Sequence, residues 1–298
     1  MTLIKNSKFK NIFRGQKGEQ KNVLAENYNP IQYPYIGMGN PDSNLLLVGA
    51  EKGFNPSEYP EITKHELNLN YIHWQDILLN HNNLNDHLHP RLKLREGLTG
   101  FNPFSPMTLD ITCNKVYPKN GHTYKMMEKT INNSLMMFHA MNQKSIFQVS
   151  PTFYQESVFN YCFLTELSDL PKNSSKDGKS FSHEYFTKSE RYNHLKGSLG
   201  DFYRGFDTIV IYAGKKYTGN HGSHQREEII RLFNPNLNIE DLKYDQMGDN
   251  NKWLFDVYES ALGGAKVIVC RHLTSVGTTE FDIGHLLGTI GIGAINYN

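Results

Sequence analysis

The sequence predicts a single α/β domain, a three-layer α/β/α sandwich whose central sheet is mainly parallel. Four short apolar runs, each followed by glycine or polar residues, are typical of strands buried in such a sheet: 45–48, 161–164, 208–212 and 267–270. Stretches with apolar residues at helical spacing alternate with these runs: 71–79, 124–138, 225–233 and 281–290. Strands that alternate with helices indicate βαβ units, with helices on both faces of the sheet.

Length, charge and cysteine content narrow the class of protein. A chain of 298 residues is long enough to bury a large core without a stabilising metal or disulfide. The net charge of +1 excludes a strongly basic nucleic-acid coat protein, although a local basic patch stays possible. Three widely spaced cysteines argue against a disulfide framework and a cysteine-rich zinc site. The sequence contains neither a membrane-length apolar run nor a secretory h-region, so we expect a cytoplasmic protein. We also expect a monomer.

The domain division predicted from the sequence is a basic N-terminal arm over residues 1–25 and one α/β domain over residues 26–298. The first segment carries six basic residues against one acid, Glu19, which favours a solvated arm; an arm that holds DNA phosphates is the alternative. The segment 90–121 is rich in Asn, Pro and Gly, and we interpret it as a long irregular excursion of the kind that often contributes to a binding site.

Polar residues directly follow the four predicted strands. The strand ends are Gly49-Ala50-Glu51-Lys52-Gly53-Phe54, Thr165-Glu166-Leu167-Ser168, Ala213-Gly214-Lys215-Lys216 and Arg271-His272-Leu273-Thr274-Ser275. Ligands of open parallel sheets bind outside the carboxyl ends of the strands. The sequence therefore predicts a polar cleft in which two glutamates, two lysines and an Arg-His pair converge.

The order of these strand ends resembles the uracil-DNA glycosylase superfamily over about residues 44–290. Gly49-Ala50-Glu51-Lys52-Gly53 is similar to its first motif, and Phe54 is placed like the aromatic residue that stacks on a flipped base. The resemblance implies that Glu51 handles the attacking water. Residue types alone leave alternatives open, since Glu51 is also suited to pairing with Lys52 or capping a helix, and Phe54 to core packing.

The second and last strand ends extend the resemblance. Phe163-Leu164-Thr165-Glu166 resembles the strand whose end contacts the base edge, which makes Thr165 and Glu166 candidate base-binding residues. Arg271-His272-Leu273-Thr274-Ser275 resembles the final loop, where a histidine contacts the base and a leucine wedges into the duplex. The resemblance thus implies His272 as a second catalytic residue and Leu273 as the wedge; packing of Leu273 under the loop is the alternative.

Three departures from the superfamily pattern bear on the substrate. Lys52 stands where many members carry Pro, Glu166 stands where Asn is usual, and the last loop lacks a His-Pro-Ser start. An ionised carboxylate only accepts hydrogen bonds, and cytosine offers an N4 amino donor where uracil offers an acceptor. Glu166 therefore favours a cytosine-type base. The resemblance adds a further option, because some superfamily members in bacteria excise hypermodified phage cytosines. The alternative for Glu166 is a surface acid near Lys172.

Together these residues predict a monofunctional DNA glycosylase that flips a pyrimidine and hydrolyses its N-glycosidic bond with no metal or cofactor. Four basic residues are expected to bind the phosphates of double-stranded DNA: Lys52, Lys215, Lys216 and Arg271. Two other classes stay open. One is a nucleoside or nucleotide hydrolase that acts on a free small molecule, and the other is a non-catalytic DNA-binding defence protein on a glycosylase scaffold.

Two histidine pairs have spacings that metal ligands use, namely His87-Leu88-His89 and His221-Gly222-Ser223-His224. Neither has a third ligand in obvious register, so the sequence favours surface histidines and predicts no metal. Gly214-Lys215-Lys216-Tyr217-Thr218 lacks the upstream glycine of a phosphate-binding loop, which excludes a Walker site.

Overall fold

A computed structural model describes residues 4–14, 34–50, 67, 69–80, 162–169, 183–197, 199–247 and 253–271. Its strands are β1 (Met38–Gly39), β2 (Leu45–Gly49), β3 (Cys162–Glu166), β4 (Thr208–Ile211), β5 (Leu242–Met247), β6 (Trp253–Tyr258) and β7 (Lys266–Cys270). Its α-helices are α1 (Ser7–Asn11), α2 (Asn70–Asn80), α3 (His183–Thr187), α4 (Glu190–Lys196), α5 (Gly200–Tyr203), α6 (Lys215–Thr218) and α7 (His224–Phe233). A 3₁₀ turn, Ile239–Asp241, precedes β5.

The described strands form one sheet in the order β1-β3-β2-β4-β7-β6-β5. The four central strands, β3, β2, β4 and β7, pair in parallel. The prediction that the four apolar runs form neighbouring strands of an α/β fold is confirmed. The sheet as a whole is mixed, because β1 on one side and β6 and β5 on the other pair antiparallel. The short connection from β6 to β7, with positive φ at Gly263 and Gly264, makes that pair antiparallel.

Burial on both faces explains why the central strands have continuous apolar runs. All five residues of β2 are buried, as are the apolar residues of β4 and β7. Side chains alternate between the two faces of a strand, so a run with no polar interruption indicates cover on both faces. Each fully buried Leu, Val or Ile contributes about 1.5–3 kcal/mol relative to exposure.

The N-terminal segment is anchored to the core through α1. Phe9 is fully buried, with its ring centroid 4.9 Å from those of both Trp74 and Phe202. The backbone amides of Lys5 and Asn6 donate to the Asp42 carboxylate at 2.7 and 2.6 Å. The buried Phe9 therefore holds residues 4–14 of this lysine-rich stretch against the core, while Lys5, Lys8 and Arg14 are exposed. The proposed boundary at residue 25 lies outside the described residues.

Two predicted helices are present, and the first is more buried than its pattern indicates. Residues 71–77 of α2 are all buried, and the Trp74 indole N–H donates to the Gly37 carbonyl oxygen at 2.8 Å. Helix α7 coincides with the predicted stretch 225–233. The predicted helices at 124–138 and 281–290, and the excursion at 90–121, lie outside the described residues. Within the part of the chain described here, no helix combines the length and apolarity that a membrane span needs.

Candidate functional site

The carboxyl ends of the four parallel strands meet at one edge of the sheet. Gly49 at the end of β2 is in register with Glu166 at the end of β3, and Val48 is in register with Ile211 at the end of β4. The parallel register of β4 with β7 brings Arg271, directly after β7, to the same edge. Because β6 runs antiparallel to β7, its first residue also lies there. We call this set of strand ends the carboxyl edge.

The chain order of the described strands puts a topological switch point at the carboxyl edge between β2 and β4. The next described strand after β2 is β3, on one side, whereas the chain after β4 continues to strands on the other side. Connections that leave neighbouring parallel strands in opposite directions open a crevice, which is where ligands of such sheets bind. The Tyr212 amide donates to the Val48 carbonyl oxygen at 2.9 Å, which holds the ends of β2 and β4 together at this switch point.

Glu166 reaches across the end of β2. A Cβ atom placed on Gly49 would lie only 1.9 Å from Oε2 of Glu166, so the carboxylate occupies the space that a side chain at position 49 would need. Pairing between the two strands continues past their ends, since Leu167 N donates to the Gly49 carbonyl at 2.9 Å and Ser168 N donates to the Ala50 carbonyl at 2.8 Å. These bonds fix the residue that immediately precedes Glu51 in the chain.

Thr165 lies in a buried network behind this strand end. Its hydroxyl donates to the Ile36 carbonyl oxygen at 2.9 Å and accepts from Nη2 of Arg191 at 2.7 Å. Arg191 is itself buried, and its Nε and Nη2 donate to the backbone carbonyl of Glu166 at 3.1 and 2.6 Å. The Tyr203 hydroxyl also donates to the Ile36 carbonyl, at 2.5 Å. This network holds the backbone at the end of β3, and thereby the position from which the Glu166 side chain projects.

Basic side chains lie at the ends of β4 and β7, on the opposite side of β2 from Glu166. Gly214, with φ +73°, turns the chain from β4 into α6, and the next two residues, Lys215 and Lys216, are exposed. Nζ of Lys215 lies 5.0 Å from the ring centroid of Trp253, the first residue of β6, a cation–π distance. Arg271 is half-buried and its amide donates to the Leu254 carbonyl at 2.9 Å. The carboxyl edge is thus acidic at β3 and basic at β4 and β7.

A fully buried ion pair holds the Trp253 side chain in place. Arg226 of α7 pairs with Asp256 of β6, and both side chains have no solvent exposure. The second carboxylate oxygen of Asp256 accepts from the Trp253 indole N–H at 2.7 Å. Arg226 also donates to the carbonyl oxygens of Thr218 at 3.0 Å and of Gly219 at 2.8 Å, at the end of α6. One guanidinium therefore fixes the helix that carries the two lysines relative to β6.

Burial affects the pKa of two ionisable groups near Arg226. It raises the pKa of the Cys270 thiol to about 12, with a partial offset from the nearby Arg226 cation. Because a thiol must ionise to act as a nucleophile, Cys270 is a packing residue here. Desolvation likewise raises the pKa of the Tyr258 hydroxyl to about 12; Arg226 opposes that shift and Asp256 adds to it.

The predicted site residues divide into two groups. Thr165, Glu166, Lys215, Lys216 and Arg271 are described, and all follow or end strands at the carboxyl edge. Five others lie outside the described residues: Glu51, Lys52, Phe54, His272 and Leu273.

Trp253 and the two buried arginines were not predicted from the sequence. One signal was available, because Asp256 interrupts the apolar stretch of β6 and a carboxylate at such a position requires a buried cation. Arg191 and Arg226, by contrast, sit in helical segments that look solvent-exposed from their charge alone.

Comparisons with known proteins found no match: no family model, no curated protein and no solved structure matches the chain. Function is therefore inferred from residue chemistry and the geometry of the carboxyl edge.

Proposed function

We propose that this protein is a monofunctional DNA glycosylase that flips a pyrimidine, with a modified cytosine preferred over uracil, and hydrolyses its N-glycosidic bond. The observation that carries the proposal is the pairing of the β2 and β3 ends, where the Glu166 carboxylate lies over Gly49 two residues before Glu51. In this proposal the base-binding acid and the water-activating acid follow adjacent strands at the carboxyl edge.

In the proposed hydrolysis of the glycosidic bond, Glu51 and His272 have different roles. Glu51 orients a water and stabilises the positive charge that develops on the sugar. The water oxygen bonds to C1′ as the bond from C1′ to N1 breaks, and the electron pair of that bond leaves with the base. The water loses one proton, the departing base gains one, and the products are an abasic site and a free base. In this proposal His272 contacts the base as it leaves.

Recognition of the base uses the neighbouring strand end. A carboxylate at Glu166 accepts from the N4 amino group of a cytosine-type base and disfavours the O4 acceptor of uracil. Phe54 provides a stacking surface for the flipped base. Thr165 contributes by holding the end of β3, because its hydroxyl is engaged with Ile36 and Arg191.

Double-stranded DNA is bound by the basic side of the edge. Lys215 and Lys216 are exposed on the turn after β4, and Arg271 follows β7, so the three are spaced along one rim. The proposal adds Lys52 as a phosphate contact and Leu273 as a wedge that offsets part of the unstacking cost.

The proposal also covers the fold, the oligomeric state and the location of the protein. It includes a three-layer α/β/α arrangement around a mainly parallel sheet, and a monomer that acts on DNA in the cytoplasm.

The proposal is tested by incubating the full chain with duplexes that contain cytosine, uracil, hydroxymethylcytosine or glucosylated hydroxymethylcytosine, followed by alkali. Strand cleavage at a modified cytosine, stronger than at uracil, is the expected result. Absence of abasic sites on all four duplexes contradicts the proposal. Cleavage of a free nucleoside with DNA left intact identifies a small-molecule hydrolase instead, and DNA binding without any product identifies a non-catalytic DNA-binding protein.

A further inference from the structure

Three potential metal ligands come together in the helices, apart from the residues assigned to the carboxyl edge. They are His183, the first residue of α3, and His224 and Glu228 of α7. One ligand atom from each lies within 4.8 Å of the other two. Nε2 of His183 is 2.7 Å from Oε2 of Glu228. Tetrahedral zinc with ligands at about 2.0–2.2 Å separates its ligand atoms by about 3.3–3.6 Å, so an ion needs only small side-chain shifts to fit here.

Local structure explains why two of these ligands face the same way. Ser223 caps α7, and its hydroxyl oxygen accepts from the Arg226 amide at 3.2 Å. The helix therefore begins at His224, and residues four apart on a helix share a face, which aligns His224 with Glu228. The third ligand, His183, comes from the segment that follows β3. A shared ion would consequently join the chain after β3 to the helix after β4.

The Glu228 carboxylate is oriented by a second partner. Its Oε1 accepts a hydrogen bond from the Tyr192 hydroxyl of α4, while Oε2 faces His183. Metal-binding carboxylates and histidines commonly have such outer partners, which set the direction of the ligand atom.

We propose that His183, His224 and Glu228 form a Zn²⁺ site with an open fourth position for water or a small anion. Two histidines and one glutamate are the ligand set of open zinc sites, and at a site of this kind Zn²⁺ binds more tightly than Fe²⁺. His224 and Glu228 line a groove of about 480 Å³ whose other lining residues include Lys196, Arg204 and Arg231. Glu227 also lines this groove and pairs with Arg231, so the three cations still outnumber the one carboxylate that is not a proposed ligand. This excess of positive charge favours an anion as the fourth ligand.

The test is a titration of the EDTA-treated full chain with Zn²⁺ alone, monitored by calorimetry, with no measurement of DNA cleavage. We expect one Zn²⁺ per chain, and a loss of affinity of at least tenfold in His224→Ala and in Glu228→Gln. Glu228→Gln preserves the size of the side chain, and His224 is exposed, so both variants should retain the wild-type circular dichroism spectrum. Tyr192→Phe should weaken binding about 10–100-fold through the orientation of Glu228.

His221→Ala is the matched control, because His221 is exposed on the turn just before α7 and is not one of the three ligands. Its Zn²⁺ affinity should equal that of the wild type. Absence of stoichiometric binding, unchanged affinity in both ligand variants, or an equal loss in His221→Ala overturns the site. Since none of these readouts involves glycosidic cleavage, the metal site can fail while the proposed function stands, and the reverse.

Discussion

The carboxylate of Glu166 fills the space in which a side chain on Gly49 would lie. A Cβ atom on Gly49 would approach Oε2 of Glu166 to 1.9 Å and its Cδ to 2.7 Å. Glycine at position 49 therefore lets an acid from β3 extend across the end of β2, two positions before Glu51 in the chain. This relationship links the two glutamates to which the proposed function assigns different tasks.

Base preference should change when the Glu166 carboxylate is altered or displaced. Glu166→Gln turns a pair of acceptors into one donor and one acceptor, which puts about 1–3 kcal/mol of base discrimination at stake. Gly49→Ala should have a similar effect, because the colliding atoms are the far end of a flexible side chain that can move aside. Competition assays between uracil and modified cytosine measure the ratio. Gly205→Ala, just before β4 at the opposite edge, is the control and should leave it unchanged.

Stability should depend strongly on the buried pair between Arg226 and Asp256. Removing one partner leaves an uncompensated buried charge, which typically costs about 3–5 kcal/mol. We therefore expect Asp256→Asn and Arg226→Met each to lower the free energy of unfolding by that amount in urea denaturation. Arg231→Met removes an exposed pair with Glu227 on the same helix and should cost less than about 1 kcal/mol. Equal losses in the buried and exposed variants would show that the pair is not a major source of stability.

DNA affinity should become less sensitive to salt when the two lysines of α6 are removed. Each phosphate contact contributes a slope of about 0.9 in log affinity against log salt. Lys215→Ala and Lys216→Ala should each reduce the slope by about that amount, as measured by fluorescence anisotropy over a salt series. Lys188→Ala serves as the comparison, because Lys188 is exposed and paired with Glu184 in the α3 region. An unchanged slope in the variant that carries both substitutions would show that α6 is not part of the DNA-binding surface.

Alkaline pH should destabilise the fold through Tyr258. Burial raises the pKa of its hydroxyl from about 10 to about 12 in the folded chain. Between these values the unfolded chain has released a proton that the folded chain retains, so the free energy of unfolding falls as the pH rises. The contribution is complete below pH 10 and is lost as the pH passes through about 12. Tyr258→Phe should flatten this part of the curve in urea titrations at several pH values; a curve as steep as the wild type assigns the loss to other groups.

The elements whose sequence pattern depends only on neighbouring residues could be predicted. Continuous apolar runs identified β2, β3, β4 and β7, because strands buried on both faces need no polar residues. Strand β6 was missed since Asp256 interrupts its apolar pattern, and its neutralising partner Arg226 is distant in the sequence. Phe9 was missed for a related reason: one buried aromatic side chain anchors a segment that its lysines make look solvated.

Prediction of the candidate sites is limited in the same way, by contacts between residues that are distant in the sequence. Sequence order alone predicted that Glu166, Lys215 and Arg271 would meet at one edge, because parallel strands share that direction. The closeness of Glu166 to Gly49 depends on register, which a single strand does not specify. His183 and His224 are far apart in the chain, so the only signal for the proposed Zn²⁺ site in the sequence is the four-residue spacing of His224 and Glu228.

The most direct test of the central claim is the mass of the free base released from modified duplex DNA in a single turnover, compared between the wild type and Glu51→Gln. The wild type should release an intact modified cytosine. Glu51→Gln keeps the shape of the side chain but loses its charge, so it should bind the same DNA with release slowed about a hundredfold, equivalent to about 3 kcal/mol of transition-state stabilisation. Release of no base by the wild type, or full activity in Glu51→Gln, would contradict a glycosylase site at the carboxyl edge.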